Sequence, residues 1–305
     1  MRKLAAIDIG TNSMRLMLCE TEGSRIGKRS KELMVTRIGK SVSSTGVISE
    51  GAIRKNIEAL KYFKNKAEKF GAEQILAIAT SAVRDAANRE EFVHKAKIET
   101  GIDINIIDGH EEAELGIIGV MSETEDKSSS ILVVDIGGGS TELILWSSSA
   151  VQYSVSINAG AVRMTETCIS QNPICDSELL LLESTVGRLF EEALGKLKNK
   201  KIDKIIAIGG TATALAAIYH QLGIYEPSIV HNTVMDINFL KEYFRLLKGM
   251  SVKQRYEVKG LQKERADVIP AGQRILIHIL ETLNISQVSV SENDNLEGAI
   301  IKYCL

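Results

Sequence analysis

At 305 residues the chain exceeds the roughly 100–200 residues typical of one domain, so two compact domains are expected. Its 44% hydrophobic and 25% charged residues give an ordinary globular composition and argue against disorder. A net charge of −2 gives no support for a nucleic-acid-coating role, although 37 Lys and Arg suffice to line a local basic cleft.

In chain order, Leu4–Ile9 reads as a buried strand ending in Asp-Ile-Gly, with Arg15–Glu20 as its hairpin partner. Ala52–Phe70 has helical periodicity with Lys and Glu outside, and Gly71 stops it. Strand Gln74–Ala79, a helix over Glu90–Thr100, strand Ile104–Ile107 and a helix over Glu111–Met121 follow. Glu123–Ser130 is polar and reads as the connection between domains. The pattern then restarts, with Ile131–Ile136 ending in Asp-Ile-Gly and Thr141–Trp146 as the next strand.

Asp8-Ile9-Gly10 through Ser13 to Leu16 aligns with Asp135-Ile136-Gly137 through Ser140 to Leu143, 127 residues later (positions 8 and 135). Ile75–Ala79 likewise aligns with Ile205–Gly209, 130 residues later (positions 75 and 205). Two matches in the same order at nearly one offset indicate a duplicated α/β protein whose halves each start with strand-turn-strand.

Glycine turns expose backbone N–H groups that bind phosphate oxygens, and Gly137-Gly138-Gly139-Ser140-Thr141 is the stronger instance. An aspartate entering each turn suits a hard cation such as magnesium, which takes one or two carboxylates plus water and phosphate oxygens. Alternatively each Asp caps its own turn. Gly209-Gly210-Thr211 is either an anion or ribose-phosphate site at a helix start, or a packing turn with Thr211 as N-cap. In Gly109-His110-Glu111-Glu112-Ala113-Glu114 the acids either favour the helix dipole or supply a base that takes a proton from water; His110 is a surface residue.

Asp8 follows the starting Met too closely for a signal peptide. Ile205–Ile218, the longest weakly polar stretch, is shorter than the roughly 18 apolar residues of a membrane span. Cys19, Cys168, Cys175 and Cys304 have no Cys-x-x-Cys spacing and read as thiols in a reducing compartment. A soluble cytoplasmic protein with neither membrane nor nucleic-acid partner is expected.

Together these segments resemble the Ppx/GppA phosphatase family of the actin-like phosphotransferase superfamily. The resemblance is carried by Ala6–Leu16, Ala79–Asn88, Ile107–Leu115, Val134–Glu142, Gly209–Thr211 and Arg265–Gly272, and thus covers nearly the whole chain. It implies two ribonuclease H-like (actin-like ATPase superfamily) domains, 1–122 plus 296–305 and 123–295, with the active site in the interdomain cleft and the last helix, about Leu296–Tyr303, packed on the first lobe.

The implied activity is magnesium-dependent release of terminal phosphate from inorganic polyphosphate or, as the alternative, from guanosine pentaphosphate (pppGpp). Carried over by position, Glu112 is the catalytic carboxylate and Glu142 a carboxylate near the attacking water. Asp8 and Asp135 fall on magnesium positions. Gly10, Thr11, Asn12, Ser13, Ser81, Gly137, Gly138, Gly139, Ser140, Thr141, Gly209, Gly210 and Thr211 fall on phosphate-binding segments, with Arg15, Arg84 and Arg265 neutralising phosphate charge.

Two departures stand out. Asn293–Gly298 replaces the family's Gly-Leu-Arg-Glu-Gly-like stretch, and the C-terminal domains of longer relatives are absent from this chain. An acceptor kinase and a nucleotide switch of the same superfamily are the rival functions. The sequence does not fix the oligomeric state; a homodimer is the working expectation.

Overall fold

The computed structural model describes residues 1–124 and 128–305, so part of the expected connection, residues 125–127, lies outside the described residues. The chain divides into two units, Met1–Glu123 with Asn293–Leu305, and Thr124–Glu292.

The first unit runs β1 (Arg2–Ile9), β2 (Met14–Glu22), β3 (Arg25–Met34), α1 (Val42–Thr45), α2 (Glu50–Phe70), β4 (Gln74–Ala79), α3 (Ser81–Asp85), α4 (Arg89–Thr100), β5 (Ile104–Ile106) and α5 (Gly109–Met121). Its sheet order is β3-β2-β1-β4-β5; β1 pairs antiparallel with β2 and parallel with β4. A central strand must be apolar on both faces, and Leu4–Ile9 is buried throughout. Ala5, Ile7 and Ile9 pack in one cluster with Ile53, Ile57, Leu60, Phe63 and Ala67, whose spacing makes one face of α2. The Ser49 side chain caps that helix by accepting from the Ala52 N–H, and Gly71, at φ 81°, ends it.

The second unit runs β6 (Ile131–Ile136), β7 (Thr141–Ser147), β8 (Ala150–Ile157), α6 (Ala161–Cys168), α7 (Asp176–Leu197), β9 (Lys204–Ile208), α8 (Gly209–Tyr219), α9 (Pro227–Val230), β10 (Val234–Asp236), α10 (Ile237–Lys248), α11 (Val252–Arg255), α12 (Ile269–Thr282) and β11 (Gln287–Val290). Its order is β10-β11-β9-β6-β7-β8. The last helix, α13 (Asn295–Cys304), belongs to the first unit. Its Leu296 and Ile300 pack on Leu4 and Ala6, the face of β1 opposite α2. Because side chains alternate along a strand, Asp8 lies on this α13 side.

The duplication holds in register. Asp8 is opposite Arg15 across β1 and β2 as Asp135 is opposite Glu142 across β6 and β7. Asp8 likewise faces Ile78 on β4 as Asp135 faces Ile208 on β9. Both units are therefore ribonuclease H-like α/β structures. The third strand of the first meander, β3, is an element that periodicity does not announce: Arg25–Met34 carries Arg29, Lys31 and Glu32 where a core strand would carry apolar groups.

Candidate active site

In open α/β sheets, ligands bind beyond the carboxyl ends of the parallel strands. The residues singled out in the sequence occupy those positions: 10–13 after β1, Ser81 and Arg84 after β4, Glu112 after β5, 137–140 after β6 and 209–211 after β9.

The two Asp-Ile-Gly turns are built alike. Gly10 N–H donates to Ser13 O at 3.0 Å and Gly137 N–H to Ser140 O at 3.1 Å, closing each turn. A neighbouring segment then takes the outer carbonyls. In the first unit, Arg37 N–H donates to Asn12 O and Gly39 N–H to Thr11 O, both at 2.9 Å. In the second, Ala161 N–H donates to Gly137 O at 2.9 Å, and the N–H groups of Val162 and Arg163 to Gly138 O at 2.8 and 3.0 Å. Such approach leaves no room for a side chain at Gly160, where a Cβ would lie 2.5 Å from the Gly138 carbonyl carbon. Among the described residues the N–H groups of 11–13 and 138–140 find no acceptor, so each turn offers an anion nest.

Around the first turn, Asp8 is buried and ion-paired to Arg15, whose Nη2 lies 2.5 Å from Oδ2. Arg15 also pairs with Asp294 at the start of α13, and Lys31 of β3 lies 3.8 Å from the other oxygen of Asp294. Burial raises the Asp8 carboxyl above its ordinary range despite Arg15. Burial would raise Asp294 as well, but Arg15, Lys31 and the Leu296 N–H outweigh it and hold Asp294 low. The Asp8 Oδ1, Asn12 Nδ2 and Ser81 Oγ atoms are buried without a hydrogen-bond partner. Arg15 thus pairs with two carboxylates, those of Asp8 and Asp294.

The three acids of the α5 start divide sharply. Asp108 caps the helix by accepting from the Glu111 N–H at 2.8 Å. Glu111 accepts from Tyr303 and Glu114 from Lys302, both on α13. Glu112 alone is buried, with Oε2 2.9 Å from Nη1 of Arg84, which also donates to Ile107 O at 3.1 Å. Burial pushes the Glu112 carboxyl up to about 7, against the lowering pull of Arg84. Arg84 is thereby a partner of the acid, and His110 is exposed.

In the second unit, Asp135 and Glu142 are both buried and lie directly opposite on adjacent strands, so their carboxylates share one face of the sheet. Glu142 accepts from Ser156 Oγ at 2.6 Å through Oε1, and Thr141 donates its hydroxyl to Ala159 O. Gly209 has φ 81°, and a Cβ there would lie 2.4 Å from Asp135 Oδ1. Arg265 covers Gly210 so closely that a Cβ would lie 1.7 Å from its Nη1, and its Nε donates to Gln262 at 3.0 Å. Ile208, not Thr211, occupies the N-cap of α8; Thr211 is buried against Gly272 of α12, which corrects the capping alternative and favours packing at that residue.

Each unit carries oxygen donors of the kind magnesium takes: Asp135 and Glu142 are two carboxylates on one face of the second unit's sheet, and in the first unit Oδ1 of Asp8 has no hydrogen-bond partner. Among the described residues no group of three or more His, Cys, Asp or Glu could hold a metal by itself, so water and substrate oxygens would complete the shell.

Arg163 and Arg37 have no counterpart among the residues read from sequence, and Asp294 enters there only as part of the divergent stretch Asn293–Gly298. Arg37 adopts φ 52°, an uncommon conformation for a residue with a side chain, where its N–H reaches Asn12. Their only sequence signal is proximity to a turn that is close in the fold and distant in the chain.

Comparison with known proteins gives a consistent result. A model of the Ppx/GppA phosphatase family matches residues 21–305. The chain is 34% identical over 98% of its length to the bifunctional 3-dehydroquinate synthase/phosphatase of Fusobacterium nucleatum, and spans 46% of that protein. It is 31% identical to exopolyphosphatase 2 of Mycobacterium tuberculosis, with 97% of each chain covered. The crystal structure of the Aquifex aeolicus Ppx/GppA family member superposes with a TM-score of 0.81 at 30% identity, covering 98% of this chain and 96% of that one.

Proposed function

As a member of the Ppx/GppA phosphatase family, the chain is a phosphoric-anhydride hydrolase, and we propose that it is an exopolyphosphatase, releasing terminal orthophosphate from inorganic polyphosphate. The observation that carries the mechanism is Glu112, a buried carboxylate near pKa 7 held by Arg84. A base poised near the working pH can accept a proton efficiently from a reacting water. The water oxygen forms the new bond to the terminal phosphorus, the bridging oxygen leaves with the shortened chain, and Glu112 takes the proton.

Backbone N–H groups of 138–140 bind phosphate oxygens, and those of 11–13 give a second set of donors. In the second unit Asp135, with Glu142 opposite, would hold magnesium, and in the first unit Asp8 is the candidate donor. Magnesium, when bound, neutralises phosphate oxygens and so lowers the cost of the charge that develops on them. The second reading is hydrolysis of pppGpp, supported by the family's joint description as Ppx/GppA. Parallel assays of short polyphosphate, long polyphosphate and pppGpp test the proposal: faster phosphate release from pppGpp than from either polymer would overturn the choice of substrate.

The reading extends to a cytoplasmic homodimer. Support for the compartment comes from four free cysteines, and no helix among the described residues is long and apolar enough to cross a membrane. Light scattering of the purified chain decides the dimer.

A further inference from the structure

The outward donors of the glycine turn depend on which way its peptide planes face. In a trans peptide, the C=O of one residue and the N–H of the next point to opposite sides. Fixing the Gly137 carbonyl on one side therefore presents the Gly138 N–H on the other, Gly138 fixes Gly139, and Gly139 fixes Ser140. The first two carbonyls are held by backbone donors, from Ala161 and from Val162 and Arg163. The third, Gly139 O, accepts from a side chain, the Arg163 Nε–H, at 2.8 Å.

Glycine resists a plane flip less than any other residue, because both signs of φ are open to it. A flip of the Gly139–Ser140 plane would replace the Ser140 N–H with a carbonyl oxygen directed at the bound anion, turning an attraction into a repulsion.

We infer that Arg163 is the positioning residue of this phosphate site: its bond to Gly139 O locks the last peptide plane of the turn with the Ser140 N–H outward. The inference rests on the reading of 138–140 as a phosphate site. Among the described residues, the hydrogen bonds to the other two carbonyls, Gly137 O and Gly138 O, are main-chain bonds that side-chain substitution leaves in place. Arg163 is half-buried at the start of α6, and its own N–H also donates to Gly138 O, so the side chain acts from a fixed base.

The test combines orthophosphate titration by calorimetry with steady-state kinetics on polyphosphate for Arg163→Lys, Arg163→Gln and Arg163→Met. Loss of one charge-assisted bond predicts about ten-fold weaker phosphate binding and a matching rise in KM for Arg163→Met, with kcat changed less than about three-fold. Arg163→Lys should recover most of the affinity and Arg163→Gln should fall between. A purely structural role would lower the thermal midpoint and the active fraction while leaving KM alone.

Wild-type phosphate affinity in Arg163→Met overturns the inference. If that variant does not fold, equal affinity in wild type, Arg163→Lys and Arg163→Gln overturns it instead. The outcome is separable from the proposed activity: weakened phosphate binding in a protein that hydrolyses neither polymer nor pppGpp sinks the activity and keeps Arg163.

Discussion

Across the hairpin from the strand-end aspartate stands Arg15 in the first unit and Glu142 in the second, at the same register position of a duplicated fold. The backbone around the two is nearly interchangeable: each turn is closed by a glycine N–H and backed by a segment that takes its carbonyls. The electrostatics are reversed. Asp8 is ion-paired with the residue opposite it, whereas the residue opposite Asp135 is a second acid. Duplication thus copied the means of presenting backbone donors, and divergence at one residue assigned them different work. The turn paired with Arg15 lies in the unit that holds the buried carboxylate Glu112, and the other turn has two acids facing each other across its hairpin.

That division can be broken most forcefully at Glu112. Glu112→Gln should reduce kcat for phosphate release by about 10²–10⁴ with little change in KM, as removal of a positioned proton acceptor does. Near-normal turnover would mean that the first unit does not supply the base. Magnesium comes next. A chelator should abolish activity, and Asp135→Asn should raise the magnesium concentration for half-maximal rate by roughly 10–100-fold. The same change at Asp8 should move it less, because Arg15 already satisfies one of its oxygens. Equal shifts would erase the contrast between the turns.

The backing segments offer a third comparison, in stability. At Gly160 an added Cβ meets backbone, 2.5 Å from Gly138, so Gly160→Ala should cost about 1–3 kcal/mol in thermal or urea unfolding. At Gly39 the added Cβ meets side chains rather than backbone, the Thr11 methyl at 2.3 Å and the Ala82 Cβ at 2.9 Å, so Gly39→Ala should cost less than Gly160→Ala but still destabilise.

The smallest effect is one of pH. Glu112 works deprotonated, so kcat/KM should fall as pH drops through about 7. Arg84→Met removes an influence that lowers the Glu112 pKa, so the acid limb should move to higher pH in a rate–pH profile. Movement to lower pH would show that another group sets the limb.

Most of the scaffold was legible because its signals are local. The apolar runs of β1, β4 and β6, the α2 periodicity ending at Gly71, and the twin Asp-Ile-Gly turns each fit within about twenty residues of chain. Family resemblance singled out Glu112 among its neighbouring acids, and burial supplies a physical reason: Glu111 and Glu114 reach α13, and Glu112 reaches Arg84. Less legible were the features that depend on distant partners. Strand β3 hides its identity because Arg29 and Lys31 answer to Glu297, 268 and 266 positions later along the numbering (29 and 31 against 297). That Arg15 pairs with Asp294 as well as Asp8 is not visible in the sequence, because the two acids are 286 positions apart (8 and 294). The segment Asn293–Gly298, which departs from the family pattern, proves to hold an acid that engages Arg15 and caps α13.

Helix α13 crosses α5 at two glycines: a Cβ at Gly119 would lie 2.0 Å from Asp294 O, and one at Gly298 would lie 1.9 Å from Leu115 O. During synthesis, everything else in the first unit leaves the ribosome before the second unit begins, while α13 leaves after the second unit is made. At about 5–20 residues per second, the nascent first unit waits roughly 8–34 s for the 169 residues of Thr124–Glu292 with the α13 face of β1 uncovered. For that interval Leu4 and Ala6 lack the Leu296 and Ile300 side chains that bury them in the finished molecule, and Arg15 lacks Asp294. The first unit of the chain to be made is therefore the last to be completed.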